Sequence, residues 1–164
     1  MNKVLIILGM HRSGTSLVAN WLHNCGLHLG DKLFEESLYN KKGYFEDSDF
    51  IEVHEEIFRL NNISSGGFMP PLDITLDAEC KNKMKMLVDN KNYMREQWGW
   101  KEPRTCLFID YYKKLIPSAK YLIVYRDYFF VVDSLIRREL KSKQLRYRKL
   151  PVLSRIKRHW KHKR

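Results

Sequence analysis

The sequence predicts an α/β protein in three layers, a parallel sheet with helices on both faces. Three observations predict it. A short apolar run, Val4 to Leu8, leads through a glycine loop into a segment with a helical apolar stripe. A second β-rich run, Lys120 to Tyr125, leads through Arg126-Asp127 into another helical segment. Between them lie further helical segments and one more short run, Trp98 to Lys101. Strands alternating with helices form parallel sheets, because each crossover helix covers a sheet face. Ligands of such sheets sit beyond the strand C-termini. The segments 9–16 and 126–134 therefore belong to one edge.

Each element has its own reason. Asn2 to Leu8 reads as a buried parallel strand, β-branched and leucine residues with no polar face. Leu17, Val18, Trp21, Leu22 and Cys25 recur on one helical stripe, and Gly26 is a stop. Residues 26–45 read as irregular. Asp47-Ser48-Asp49 can cap a helix to about Leu60, with Phe50, Val53, Ile57 and Leu60 on one face. Asn61-Asn62, the Ser-Ser-Gly-Gly run and Pro70-Pro71 make residues 61–77 a loop. Ala78 to Arg95 is a helix with charged faces, and Trp98 to Lys101 a short strand. Thr105 to Leu115 is a helix stopped by Pro117. Lys120 to Tyr125 is a strand, and Tyr128 to about Lys143 the helix after it. The organisation expected is an α/β domain over 1–140 and a basic segment over 141–164, part helical or disordered.

The chain of 164 residues is 44% apolar, enough for one domain with one core. Its charge is unevenly spread. Residues 137–164 hold 13 of the 30 Lys and Arg and one of the 19 Asp and Glu, a net of +12, so the rest carries −1. Any anion site in the body must then be local. The tail interleaves its charges with Leu145, Leu150, Val152, Leu153, Ile156 and Trp160, and Pro151 can open a short helix with Val152, Ile156 and Trp160 on one stripe. A solvated basic end and contact with an acidic partner surface or membrane are both open readings; nothing specifies nucleic acid. Cys25, Cys80 and Cys106 are odd in number and match no metal spacing, as expected of reduced thiols in a cytoplasmic protein. Val4–Leu8 is too short for a signal-peptide core or a membrane span.

The densest motif is Leu8-Gly9-Met10-His11-Arg12-Ser13-Gly14-Thr15-Ser16. Gly9 and Gly14 have the spacing of the nucleotide-binding G-x-x-x-x-G-K-[ST] loop, whose backbone N–H groups and following helix N-terminus receive phosphate. Thr15 stands where that pattern has lysine, and the positive charge sits at Arg12. Such a loop is a poor clamp for a triphosphate, which counts against a small-molecule kinase. An arginine fork can instead pair with two oxygens at once. An ordinary Gly/Ser turn is the plain alternative.

His11-Arg12-Ser13-Gly14-Thr15-Ser16 resembles the 5′-phosphosulfate loop of the sulfotransferases that use 3′-phosphoadenosine 5′-phosphosulfate. Tyr121 to Asp127 with Ser134 is similar to that family's 3′-phosphate motif, an Arg ending a strand and a Ser eight residues on. Trp98 to Arg104 resembles the lysine-proline segment of tyrosylprotein and bacterial members. The three blocks stand in the family's order over residues 3 to about 138; the tail does not match.

The resemblance implies a phosphate-binding-loop sulfotransferase fold, related to the tyrosylprotein and carbohydrate enzymes. The activity implied is transfer of a sulfuryl group to a hydroxyl or amine of a carbohydrate, lipid or small metabolite, without a metal. Arg12 and the loop residues His11, Ser13, Gly14, Thr15 and Ser16 would hold the 5′ end of the donor, and Arg126 and Ser134 the 3′-phosphate. Lys101 aligns with the family's lysine near the transferred group, with a strand-end salt bridge as rival; Arg104 has weaker support. The cytosolic branch has a histidine base where this chain has Pro103. Gly43 to Asp47 resembles a bacterial block that makes Glu46 the candidate base, with helix capping by Glu46 or Asp47 as the competing role and His11 and His54 as fallbacks. Family members continue well past the 3′-phosphate helix, so the resemblance implies a short or truncated member. A non-catalytic sulfotransferase-like binding protein is the alternative function.

Overall fold

The computed structural model describes residues 2–34, 43–64, 66 and 74–149, with side chains as far as 146. The chain divides into two compact units, Met1–Arg126 and Asp127–Arg164. The first unit is α/β. Its strands are β1 (Lys3–Leu8), β2 (Gln97–Lys101) and β3 (Lys120–Ile123), all parallel, in the order β2-β1-β3. Its helices are α1 (Thr15–Asn24), α2 (Ser48–Leu60), α3 (Ala78–Met94) and α4 (Ile109–Leu115). The second unit contains α5 (Tyr128–Lys149), so the helix expected to end near Lys143 runs about two turns further.

Alternation along β1 builds two cores. Val4, Ile6 and Leu8 face a cluster made with Phe50, Ile57 and Phe58 of α2, Met84 and Val88 of α3, Tyr112 of α4, and Trp98 and Trp100 of β2. Ile7 and Leu5 face the other way, onto Ala19 and Leu22 of α1 with Leu27 and Leu29. Helices therefore flank the sheet on both sides. The Phe50 and Trp100 rings stack 4.3 Å apart at 7°, which ties α2 to β2.

The boundaries follow local chemistry. Asp77 caps α3 by accepting from Cys80 N–H at 2.7 Å. The end of α1 is a left-handed Gly26 with Leu27 N–H returning to Leu22 at 3.0 Å and Gly26 N–H to His23 at 2.9 Å, the double closure that stops a helix. Several expectations shift. On α1 the expected stripe is not the buried face, since Leu17, Trp21 and Cys25 are exposed while Ala19 is buried. The strand expected to reach Tyr125 ends at Ile123. On α2 the buried face holds Ile51, His54 and Phe58 as well as Phe50 and Ile57, while Leu60 is exposed. The helix expected over 105–115 opens as a 3-10 turn, Pro103–Phe108, before α4. Pro103 fixes that start, and the Trp100 indole N–H holds the Thr105 hydroxyl at 3.0 Å. Residues 35–42, most of 65–73 and the tail from 150 lie outside the described residues, and with them the expected stripe of Val152, Ile156 and Trp160.

Candidate functional site

Register fixes the place of the site. Ile7 pairs with Lys101 and Leu8 with Ile123, so the C-terminal ends of all three strands meet at one edge. The loop 9–14 leaves β1 there. Gly9 (φ 155°) passes so close to its neighbours that a Cβ would lie 2.5 Å from the Val124 carbonyl oxygen and 2.9 Å from Ser13 Oγ. Gly14 (φ 102°) is the N-cap of α1 and offers no side-chain cap. The first N–H groups of a helix have no partner within it, and no acidic residue stands in the first turn of α1. Arg12 is also left-handed, at φ 70°, a conformation that costs a non-glycine residue about 1 kcal/mol or more.

Two further segments reach this loop. Arg126, expected to end its strand, stands three residues past the end of β3, and its guanidinium donates to the Arg12 carbonyl at 3.1 Å. Lys101, the last residue of β2, is 2% exposed and donates to Ser16 Oγ at 3.2 Å, to the Tyr44 carbonyl at 3.2 Å and to Glu46 Oε1. Side chains alternate along β2, so Trp98 and Trp100 enter the large core while Lys101 turns to the α1 side.

Glu46 is held by a short antiparallel pairing. Phe34 N–H donates to its carbonyl at 2.7 Å, and Ser48 N–H to Lys32 at 2.9 Å. Phe45 before it is left-handed at φ 54°. The two acidic neighbours then divide the work. Asp47 caps α2, accepting from Asp49 N–H at 3.1 Å, and pairs with Lys91 at 2.7 Å. Glu46 is left to Lys101. Burial pushes the Glu46 carboxyl above the ordinary carboxylate range, and the Lys101 ammonium pulls it back only in part.

The next residue of the chain, Glu102, turns to the opposite face. It accepts from His54 Nδ1 at 2.6 Å and from Arg104 Nε at 2.7 Å. His54 Nε2 shares a hydrogen bond with the Tyr112 hydroxyl at 2.9 Å, and Arg104 also reaches Glu55 at 3.0 Å. Burial raises the Glu102 carboxyl, but His54 and Arg104 outweigh it and hold the group down to about 2. His54, a fallback base from the sequence, is 0% exposed within the large core, so it is a packing and hydrogen-bonding residue. Arg104 belongs to the same enclosed network.

Of the remaining residues singled out from the sequence, His11 is half-buried in the loop and Thr15 is buried at the start of α1. Ser134 lies in the second turn of α5, in the second unit. Ser13 is buried, and its Oγ has no hydrogen-bond partner among the described residues. An orphaned buried hydroxyl beside helix N–H groups suits an anionic oxygen. The loop thus fits a phosphate-like group. Among the described residues, no group of three or more His, Cys, Asp and Glu is placed to hold a metal ion.

Sequence reasoning missed the Lys91 and His54 networks. Both left a signal: a polar side chain at a stripe position. Lys91 continues the buried series Cys80, Met84, Val88 on α3, and His54 stands one turn after Phe50 on α2. No family model, curated protein or solved structure matches the chain.

Proposed function

We propose that the chain is a sulfotransferase of phosphate-binding-loop type that uses 3′-phosphoadenosine 5′-phosphosulfate. The observation that carries the reading is Lys101. Its ammonium joins the phosphate-type loop, through Ser16, to a buried carboxylate, Glu46. The motif spacing requires the loop but does not require that junction.

The donor supplies an activated sulfuryl group, whose transfer forms a bond from the acceptor oxygen or nitrogen to sulfur and breaks the one from sulfur to the phosphate oxygen. The chain's own residues align and neutralise. Arg12, the Ser13 hydroxyl and the N–H groups at Gly14, Thr15 and Ser16 hold the 5′ end. The 3′-phosphate is assigned to Arg126 and Ser134 by the resemblance alone. Lys101 neutralises charge next to Ser16. Glu46 takes the proton from the acceptor hydroxyl or amine; its raised affinity for protons brings it closer to the neutral range in which a general base works well. The acceptor is a carbohydrate, a lipid or a small metabolite.

The test is thermal melting with adenosine 3′,5′-bisphosphate in magnesium-free buffer. A ligand at a hundred times its Kd adds about 2.7 kcal/mol, which is roughly 5–10 °C for a chain of this size. Stabilisation by ATP with magnesium, and none by the bisphosphate, would replace the proposal with a kinase reading.

A further inference from the structure

Among the described residues of the second unit, one face of α5 is exposed and apolar, as are Tyr128 and Phe130 beside it in the first turn. Phe129, Val132, Ile136 and Leu140 recur at intervals of three, four and four, which places them on a single stripe. All four are 47–67% exposed. The same helix is strongly basic toward its C-terminus: residues 137–149 carry seven Lys and Arg and one Glu. Arg137 flanks the stripe and pairs with Asp133, Lys141 stands on the side away from the stripe, and Lys143, next on the stripe after Leu140, pairs at the exposed surface with Glu139 at 3.6 Å. No helix among the described residues is long and apolar enough to cross a membrane.

We propose that α5 lies in the headgroup layer of an anionic lipid bilayer, its apolar stripe inserted and its basic residues on lipid phosphates and carboxylates. A helix with an apolar stripe and a cationic polar face is attracted by both terms together. Long lysine and arginine side chains keep their charge in the headgroups while their stems cover acyl chain. Two other occupants fit less well. A second copy would bring two segments of net +12 together. Nucleic acid would satisfy the charge but leave Ile136 and Leu140 in water. This inference is independent of the sulfuryl-transfer proposal.

The test is co-sedimentation of the full chain with vesicles of phosphatidylcholine alone and of phosphatidylcholine with 30% phosphatidylserine. Binding to the second and at least tenfold weaker binding to the first is expected. Ile136→Asn with Leu140→Asn should weaken binding at least tenfold while the melting temperature stays that of the parent. Lys141→Gln, Lys143→Gln and Arg146→Gln, all at surface positions, provide a second variant that should lose about fivefold per charge. Three outcomes overturn the proposal. One is equal or absent binding to both vesicles. Another is full binding by the Asn variant, which leaves charge alone. The third is a concentration-dependent dimer in lipid-free solution that the Asn variant abolishes, which gives the stripe to a second copy.

Discussion

Lys101 and Glu102 are neighbours on one strand end, yet they head two different networks. Glu102 points into the large core, where His54, Arg104 and Tyr112 close around it. Lys101 points the other way, to Ser16, Tyr44 and Glu46, at the edge where all three strands end. The first network is sealed and held well below its ordinary titration range. The second keeps a carboxyl above that range, next to a left-handed Phe45, and it reaches α1 at Ser16, three residues after the orphaned Ser13 hydroxyl. Strain and incomplete satisfaction gather at sites that bind something else; complete satisfaction marks a structural joint.

The comparison breaks if the two networks respond alike to substitution. Glu102→Gln should have the largest effect on stability, about 3–5 kcal/mol, because it takes the carboxylate from the buried Arg104 guanidinium; denaturant melts would measure it. The pH dependence has a definite sign. Glu102 titrates at about 2 in the fold against 4.5 ordinarily. Its stabilisation is therefore complete above 4.5 and is lost as pH falls from there toward 2. Acid melts of the parent should steepen in that window, and those of the Gln variant should not.

Lys101→Met should cost less stability, about 1–3 kcal/mol, and, if the proposed sulfuryl transfer holds, lower that activity at least a hundredfold. Burial already raises Glu46, and removing the ammonium raises it further. The Glu46 contribution is present below the ordinary carboxylate value and is lost as pH rises through the raised one. The melting gap between variant and parent should thus be narrower at pH 5 than at pH 8. Gly9→Ala should cost about 1–3 kcal/mol, since its Cβ meets the Val124 backbone oxygen at 2.5 Å, and should weaken bisphosphate binding as well. The smallest effect is expected of Tyr112→Phe, about 1 kcal/mol with bisphosphate binding intact.

Much of this was legible in the residues. The apolar run of β1, the Gly9 to Gly14 spacing and the Lys120 strand predicted a parallel sheet with a loop at its edge, and the sheet has that form with three strands. Arg12, Lys101 and Glu46 were singled out by the family resemblance, and the Lys101–Glu46 ion pair is the strand-end salt bridge that the sequence offered as the rival role of Lys101. What the sequence left open was whether Glu46 or Asp47 caps α2. Asp47 takes the cap, and its other partner, Lys91, comes from a helix 44 residues away in the chain. Local patterns do not reach such contacts. The left-handed backbone at Arg12 and Phe45 was equally invisible, because neither residue type favours that conformation and tertiary contacts impose it. The extent of α5 was underestimated because residues 144–149, Gln-Leu-Arg-Tyr-Arg-Lys, carry no apolar repeat of helical period to signal its last turns.

The central claim is that one anionic nucleotide engages the loop after β1 and the segment after β3 together. Calorimetric titration of adenosine 3′,5′-bisphosphate into the parent, Arg12→Ala and Arg126→Ala tests it most directly. Each substitution should weaken binding about tenfold to a hundredfold, the loss expected of a hydrogen bond to a charged group, with melting temperatures near the parent's. Absence of binding to the parent, or unchanged affinity in both variants, would contradict it.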